Sequence, residues 1–389
     1  MHEYNFGSGR PAPSSFPSEA LADAAARVIA DQGQQLVDYP EGKGYRPLRE
    51  IAAMRFERSE KKPLPVDDIA LTSGSMQALQ LLSEAYVKPG EIIITESFSY
   101  GGSLGLFRRK QARLVGVPMD DHGMITEELE AILQRLSDHG TLPAFIYTIA
   151  SHQNPTGSIM PIERRHQLLE IARAYDVLVV DDHCYGDIIF EPEQAAPTLY
   201  TLDDSGRVVY IGSFSKILGP GVRQGYLAAP PSRMNEILQN KVDGGTNMLA
   251  SMILAEYFKD HLWSHIDVIN RIMRARRNAM TASLAEHFAP LGDGVWWTNP
   301  PGGLFIWARI PDGTDVNEAV RLAGTRGVVC PAGRAFNPTD EDVPSLRLAF
   351  GYPSIEHIQA GIPILAECVS EARMKDEGER MKVEPGQSL

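Results

Sequence analysis

Cysteine is scarce in this sequence, and its scarcity excludes two kinds of protein. The 389 residues include three cysteines, Cys184, Cys330 and Cys368, and no two of them have the C-x-x-C spacing. A disulfide-stapled secreted domain or a cysteine-rich metal centre would need more cysteines at closer spacing. We therefore expect a protein of a reducing compartment, by default the cytoplasm, with no metal site.

Long apolar runs and an excess of positive charge are absent as well. No apolar stretch approaches the roughly 18 residues that cross a bilayer. Residues 1–6 are not a basic segment followed by an apolar one, so no signal peptide is predicted. The 37 basic and 50 acidic side chains give a net charge of −13. Because this charge disfavours binding to nucleic acid or to an anionic membrane, we expect neither partner.

What the sequence does have is an alternation of short apolar runs with helical patterns. Such an alternation is typical of an α/β protein whose mostly parallel sheet is covered on both faces. The predicted strands are 92–95, 114–117, 145–149, 177–180 and 208–211, and the predicted helices are 76–87, 126–136 and 162–175. In such sheets ligands bind at the carboxyl ends of the strands.

The pattern changes after Pro230. Residues 231–288 are mainly helical, and an α+β segment with predicted strands near 295–298, 304–307 and 346–350 follows, with helices near 315–325 and 355–372. We predict that this segment is a second, smaller domain. The charged tail, residues 373–389, is predicted to be disordered.

The segment Ser213–Gly225 carries the most specific chemical signal. Lys216 supplies a primary amine, which can form a Schiff base with an aldehyde. Arg223 and the serines beside the lysine can hold a phosphate dianion. Pyridoxal 5'-phosphate (PLP) has both an aldehyde and a phosphate. Taken alone, the segment is equally consistent with a surface lysine and a surface arginine.

Three more polar segments follow predicted strands. Residues 72–77, Thr-Ser-Gly-Ser-Met-Gln, open a helix, where they either bind phosphate through free N–H groups or form a simple N-cap. Asp181 and Asp182 end the strongest apolar strand, where a carboxylate needs a cation or a donor, such as a protonated pyridine nitrogen, a metal or an ion-pair partner. The sequence Asn-Pro-Thr-Gly at 154–157 predicts a turn, which either aims the Asn154 amide into a cleft or is a plain turn.

Two isolated side chains extend this pattern. Tyr100 lies just past a predicted strand, where its ring either stacks on a ligand or packs in the ordinary way. Arg347 lies within an apolar strand, where a guanidinium needs an anionic partner. That partner is either a substrate carboxylate or an acidic side chain of the protein.

Together these segments resemble the fold-type I PLP-dependent aminotransferases of class I/II, and most closely the 2-aminoadipate/kynurenine-aminotransferase-like group. The resemblance covers roughly residues 5–370, in the family's order, and its specific parts are Ser213–Gly225, 154–157, Asp182-x-x-Tyr185 and 301–307. It implies a large PLP-binding domain with a mostly parallel seven-stranded sheet and a small α+β domain. The implied division is an N-terminal arm at 1–30, the large domain at 31–270, the small domain at 271–372 and the tail at 373–389.

The resemblance also implies a role for each site residue. Lys216 would carry PLP, Asp182 would pair with the pyridinium nitrogen, and Tyr185 and Asn154 would hydrogen-bond the phenolic oxygen of the ring. Tyr39 would reach the phosphate in the site of a second subunit, which implies a homodimer with shared active sites. The other implied contacts are Ser75, Met76, Gln77, Tyr100, Ser213, Ser215 and Arg223 with the cofactor, and Gly9, Arg10, Asn154 and Arg347 with the substrate.

The implied activity is transfer of the amino group of an L-amino acid to a 2-oxo acid with ping-pong kinetics. The amine of Lys216, once released, would act as the general base at Cα. An oxidase or hydroxylase, a β- or γ-substitution enzyme and a C–C bond-forming enzyme need the same residues and remain alternatives. A PLP-sensing regulator without its DNA-binding domain is a more remote one. A catalytically inactive binding protein is disfavoured by the intact Lys216.

Overall fold

The computed structural model describes the backbone of residues 3–192 and 195–383, and the side chains as far as residue 373. The strands are β1 Tyr4–Asn5, β2 Ile69–Thr72, β3 Ile92–Glu96, β4 Arg113–Val117, β5 Met119–Asp120, β6 Gly123–Met124, β7 Phe145–Thr148, β8 Leu178–Asp182, β9 Val208–Ser213, β10 Gly225–Ala228, β11 Trp296–Trp297, β12 Phe305–Arg309, β13 Val328–Val329 and β14 Ser345–Ala349. The helices are α1 Ser18–Gln32, α2 Arg46–Glu60, α3 Ser75–Tyr86, α4 Gly101–Arg109, α5 Thr126–Asp138, α6 Ile162–Ala174, α7 Leu199–Leu202, α8 Pro231–Leu238, α9 Met248–His287, α10 Val316–Thr325 and α11 Ile355–Val383.

The large sheet has seven strands within the described residues, in the order β2-β10-β9-β8-β7-β3-β4. Neighbouring strands are parallel except at β10, which is antiparallel to both β2 and β9. Every residue of β3, β7, β8 and β9 is buried, as continuous apolar runs predict for a sheet covered on both faces. The predicted α/β class with a mostly parallel sheet is confirmed.

Alternate residues of the strands face two different hydrophobic clusters. On β8, Val180 belongs to one cluster and Val179 to the other. Because side chains alternate along a strand, the next two residues also point to opposite faces. Asp182 therefore lies on the face of Val180, and Asp181 lies on the face of Val179.

A smaller antiparallel sheet follows in the order β11-β12-β14, at the three places where the sequence predicts strands. Strand β1 pairs in parallel with β13, which joins the start of the chain to this part of the structure. The implied boundary between residues 270 and 271 falls inside α9, which runs unbroken through it. The segment predicted as a disordered tail begins within α11, and its last part, 384–389, lies outside the described residues. In the described ranges, no helix combines the length and the hydrophobicity of a membrane span.

Candidate active site

The carboxyl-terminal ends of the strands of the large sheet bring the polar segments together. Asp182 ends β8, Ser213 ends β9 and Ser75 begins the helix that follows β2. Asn154 lies in the loop after β7, and Tyr100 lies directly before α4, in the loop after β3. This common edge is where a parallel sheet places its ligands, and the candidate site lies along it.

Lys216 points into this edge. Its partly buried amine donates a hydrogen bond to the Gly9 carbonyl at 2.9 Å and lies 5.3 Å from the ring centroid of Tyr185. Burial lowers the pKa of Lys216, and Arg347 lowers it further, while Cys184 and Asp182 act in the opposite direction. A lysine with a lowered pKa has a larger neutral fraction, which is the form that attacks an aldehyde.

Asp182 lies at the bottom of the site, with one oxygen held by the protein and one left free. Its Oδ2 accepts a hydrogen bond from the Tyr147 hydroxyl at 2.7 Å, and that hydroxyl accepts one from Ser103 at 2.9 Å. Its Oδ1 is buried and has no partner at hydrogen-bond geometry among the described residues, although the thiol and backbone N–H of Cys184 lie close enough to lower the pKa of the carboxyl. Since buried polar atoms are normally paired, the free oxygen marks the position of a donor such as a protonated ring nitrogen.

Asp181 differs from Asp182 in the face on which it lies. It is fully buried on the opposite face of the sheet, where its Oδ2 accepts a hydrogen bond from the backbone N–H of Tyr200 at 3.3 Å and its Oδ1, like that of Asp182, has no partner among the described residues. Burial raises its pKa, while His183 and Arg165 act to lower it. Of the two adjacent carboxylates, only Asp182 faces Lys216.

Two glycines let Arg223 and the start of α3 come together. Gly74, the N-cap of α3, has φ of 80°, and a Cβ on it would lie 2.8 Å from Nη2 of Arg223. A Cβ on Gly225 would lie 2.8 Å from the backbone of Gly74. Arg223 donates to the Ser73 carbonyl at 2.5 Å. The close approach places a guanidinium beside the N-terminal N–H groups of a helix, which is an arrangement suited to phosphate.

The serines predicted to hold the phosphate surround the same point. Ser75 is the first residue of α3, and the backbone N–H of Ser215 donates to Ser213 Oγ at 3.1 Å. Gln77 is placed differently, because its amide accepts from the Ser73 N–H at 2.6 Å and donates to Asp243 at 2.6 Å. Its side chain therefore holds the loop that precedes α3.

Arg347 reaches the site from β14. Its Nη1 donates to Asn154 Oδ1 at 3.2 Å, and Asn154 in turn donates to the Tyr185 hydroxyl at 3.0 Å. Its guanidinium lies over the rings of Phe305 and Phe336, at 4.5 and 4.8 Å from their centroids. Burial lowers the pKa of Arg347 to about 10, and no carboxylate among the described residues pairs with it. A buried, unpaired guanidinium is a binding group for an anion.

The N-terminal arm closes the other side of the site. A Cβ on Gly9 would lie 2.7 Å from the Phe305 ring and 3.9 Å from the Lys216 amine, so any larger side chain there would collide. Arg10 is exposed, donates from Nε to Ser8 Oγ, and stacks 4.1 Å from the ring centroid of Tyr352. The structure thus brings Gly9 to Lys216 and holds Arg10 further along the arm.

Tyr39 is the predicted site residue that the single chain does not bring to the others. Its side chain is 89% exposed, and the apolar side chains of Val37 and Val242 are 86% and 91% exposed. The Tyr39 ring lies against Gly244, since a Cβ there would be 3.5 Å from it. Tyr100, in contrast, is partly buried, and Asp182 and Arg347 are close enough to affect its pKa, which burial raises.

Sequence reasoning missed several residues that support the site. Glu96, the last residue of β3, is buried and accepts from Thr148 Oγ1 at 2.6 Å, the Ile149 N–H at 2.8 Å and Ser99 Oγ at 3.0 Å. It thereby ties together the loops that carry Tyr100 and Asn154. The position of Glu96 at the end of an apolar strand could have revealed it, because a carboxylate there needs donors. The same argument selected Asp182. Tyr147, Ser103, Phe305 and Phe336 gave no such signal.

A cavity of about 820 Å³ lies beside the site. It lies between the loop that follows Asn154 and the small sheet, with Trp296, Trp297 and Trp307 in its wall, and Lys216 is not part of its lining. Lys216 is a better candidate for the chemistry than this cavity, because the partly buried amine, the unpaired oxygen of Asp182 and the guanidinium without a carboxylate partner lie together there.

Residues 2–359 match the family described as aminotransferase class I and II. The chain belongs to this family. It is similar to aromatic-amino-acid aminotransferase 1 of Thermococcus litoralis, with 38% identity over 370 residues, covering 94% of this chain and 88% of the relative. It is also similar to the 2-aminoadipate transaminase of Thermus thermophilus, with 32% identity over 363 residues, covering 92% of this chain and 88% of the relative.

A solved aminotransferase has the same fold. The crystal structure of LysN, the alpha-aminoadipate aminotransferase of Thermus thermophilus complexed with N-(5'-phosphopyridoxyl)-L-leucine, superposes with a TM-score of 0.88 at 30% identity, covering 96% of this chain and 93% of that one. The predicted family, fold and enzyme class are confirmed. This chain is a PLP-dependent aminotransferase of class I and II.

Proposed function

We propose that this aminotransferase holds PLP on Lys216 and moves the amino group of an L-amino acid to a 2-oxo acid by a ping-pong mechanism. The observation that carries the proposal is the free Oδ1 of Asp182, a buried carboxylate oxygen without a partner among the described residues, on the face toward Lys216. A pyridinium N–H would supply the missing donor, and the nearby amine of Lys216 would supply the attachment. The residues present therefore fit this cofactor.

The phosphate group of the cofactor belongs at the start of α3. The backbone N–H groups of Ser75 and Met76, the hydroxyls of Ser213 and Ser215, and the guanidinium of Arg223 would bind it, which offsets the net negative charge of the chain locally. Tyr100 would stack on the ring, and Asn154 and Tyr185 would bind its phenolic oxygen.

The chain's own groups account for substrate binding and proton transfer. Arg347 would bind the α-carboxylate of the substrate through its guanidinium, whose planar geometry suits a carboxylate, and Gly9 would leave room for the substrate beside Lys216. The neutral amine of Lys216 would take the proton from Cα and return it to the cofactor side. PLP, when bound, supplies the electron sink that stabilises the carbanion at Cα.

The test of this proposal is a panel of amino acids added to the purified protein loaded with PLP. We expect the visible absorbance of the bound cofactor to change with the accepted amino acids, and amine transfer to require an added 2-oxo acid. An oxygen electrode in parallel separates transfer from oxidation. Amino-acid consumption with oxygen uptake and without a 2-oxo acid would refute transamination.

For the substrate, we propose that Arg10 favours an acidic side chain. Its exposed guanidinium lies one residue after Gly9 and makes its hydrogen bond through Nε. The relatives are named for aromatic amino acids and for 2-aminoadipate. Similar proteins are therefore named for substrates with aromatic side chains and for a substrate with an acidic side chain. An exposed Arg–carboxylate pair is worth little, about 1 kcal/mol or less.

Arg10→Leu tests this preference. The ratio of kcat/KM for glutamate or 2-aminoadipate to that for leucine or methionine should fall about fivefold, the size of one exposed ion pair. The measurement is steady-state kinetics with the four amino acids in wild type and variant. An unchanged ratio would show that Arg10 stays on Tyr352 and is not a specificity residue.

We further propose a homodimer whose two sites are shared through Tyr39. The proposal is supported by the exposure of Tyr39 and of the apolar side chains Val37 and Val242, because exposed apolar side chains that lie together mark a surface for a partner. In this arrangement the Tyr39 hydroxyl would reach the phosphate bound by the second subunit.

Mixing two inactive variants tests the shared site. A hybrid of Tyr39→Phe and Lys216→Ala subunits has one site with both residues intact, so random exchange should restore up to about a quarter of wild-type activity. Subunit exchange is verified separately with differently tagged chains. No recovery in mixtures that contain hybrids would argue that each site is built from one chain.

A further inference from the structure

A linear chain of three buried groups ends on the carboxylate of the candidate site. Ser103, in the first turn of α4, donates to the Tyr147 hydroxyl at 2.9 Å, and Tyr147, on β7, donates to Asp182 Oδ2 at 2.7 Å. Ser103 and Tyr147 are fully buried, and Asp182 is 4% exposed. Because a phenol has a single proton, a Tyr147 that donates to Asp182 can only accept from Ser103. Both hydrogen bonds in this row therefore donate in the direction of the carboxylate.

The direction of these hydrogen bonds has an electrostatic consequence. Burial raises the pKa of Asp182, while hydrogen bonding from Cys184 and from the donor Tyr147 acts to lower it. Burial, together with the nearby carboxylate, raises the pKa of Tyr147 well above its ordinary value, so this donor keeps its proton throughout the working range. A donor fixed in this way favours the ionised carboxylate and occupies Oδ2, which leaves Oδ1 for another partner.

We propose that Tyr147, supported by Ser103, is a positioning residue that keeps Asp182 ionised and its free oxygen aimed at the ring nitrogen of the cofactor. The inference rests on the proposed function, since it concerns the interaction of Asp182 with bound PLP. Tyr147 acts through Asp182 and contacts neither Arg347 nor Lys216 by any hydrogen bond in the described structure. The other titratable groups that face Asp182 are Tyr100, Cys184, Tyr185 and Lys216.

Tyr147→Phe removes the donor and keeps the ring. We expect kcat to fall about tenfold or more, the factor that one hydrogen bond to a charged group typically contributes, while KM for the amino acid changes little. The pH at which the visible absorbance of bound PLP changes should be higher than in wild type. The reason is that a less fully protonated ring nitrogen makes the cofactor hold the proton beside Lys216 more tightly. Ser103→Ala should shift both quantities in the same direction by a smaller amount.

Tyr210→Phe is the matched control. Tyr210 is also a buried tyrosine, on β9, the other strand that pairs with β8, and its ring packs against Phe56 at 5.5 Å. This substitution should leave the absorbance titration and kcat close to wild type. Equal changes in Tyr147→Phe and Tyr210→Phe would mean that any buried hydroxyl near β8 matters, and would overturn the specific role of Tyr147.

The outcomes separate this inference from the proposed function. A wild-type protein that binds PLP and transfers amines, beside a Tyr147→Phe variant with unchanged titration and kcat, would overturn the inference alone. A wild-type protein that shows no cofactor absorbance would refute the proposed function itself. Circular dichroism and thermal melting establish that each variant folds, and where Tyr147→Phe does not fold, the absence of a shift in Ser103→Ala overturns the inference.

Discussion

Replacing Lys216 by alanine should lower kcat by about 10⁴-fold or more, because the variant loses both the nucleophile that holds the cofactor and the general base at Cα. The buried surroundings of Lys216 make this loss difficult to compensate, since no other described lysine amine points into the site. PLP should still bind through its phosphate and ring contacts, although more weakly. Steady-state kinetics and the absorbance of the bound cofactor measure the two effects separately.

Lys62→Ala provides the matched control. Lys62 is an exposed lysine whose amine donates to the Thr201 carbonyl at 2.8 Å, away from the site, so this variant should keep wild-type activity. Borohydride reduction of the loaded wild type followed by peptide mapping should place the cofactor on the peptide with Lys216. A label on any other lysine, or substantial turnover by Lys216→Ala, would contradict the assignment.

Asp182→Asn should lower kcat by about 10²- to 10⁴-fold, the usual range for losing a group that stabilises charge in the transition state. The amide has almost the same shape, so Tyr147 and the packing around it should change little. What disappears is the negative charge that makes a protonated ring nitrogen favourable in a buried site. The pH dependence of the cofactor absorbance should change with it.

Asp181→Asn separates this charge effect from a general effect on β8. Asp181 is adjacent in sequence and likewise buried, but it lies on the opposite face and accepts from the Tyr200 N–H. We expect less than about a tenfold change in kcat, with any cost appearing mainly in thermal stability, as for other disrupted buried hydrogen bonds. A larger loss in Asp181→Asn than in Asp182→Asn would reverse the assignment of the two carboxylates.

The fold and the centre of the site could be predicted because their signals are local in the sequence. The run 177–180 is apolar throughout because both faces of β8 are covered, and the carboxylates that end it are conspicuous for the same reason. The alternation of side chains along a strand then predicts that Asp181 and Asp182 face opposite sides, and the resemblance, through the interval to Tyr185, assigns Asp182 to the ring nitrogen. The turn at 154–157 and the glycines around Arg223 are equally short-range signals.

The supporting residues could not be predicted, because their roles depend on contacts between distant parts of the chain. Tyr147 resembles any aromatic residue of a buried strand, and only the packing of α4 against β7 brings Ser103 to it, 44 residues away in sequence. The partner of Gln77 could not be predicted either, since its side chain donates to Asp243, 166 residues further on. The role proposed for Tyr39 requires a second chain, and such a contact leaves no local signal in one sequence.

The 40-residue helix α9 has a mechanical consequence for the enzyme. A straight helix of this length is about 60 Å long, and α9 packs against α1 and α2 at one part of its length and against α11 at another. The small sheet is therefore connected to the large one by this long helix as well as by loops. If the small sheet rotates relative to the large one, it must bend this helix or turn about its axis, so the helix limits the directions in which Arg347 can move relative to Lys216.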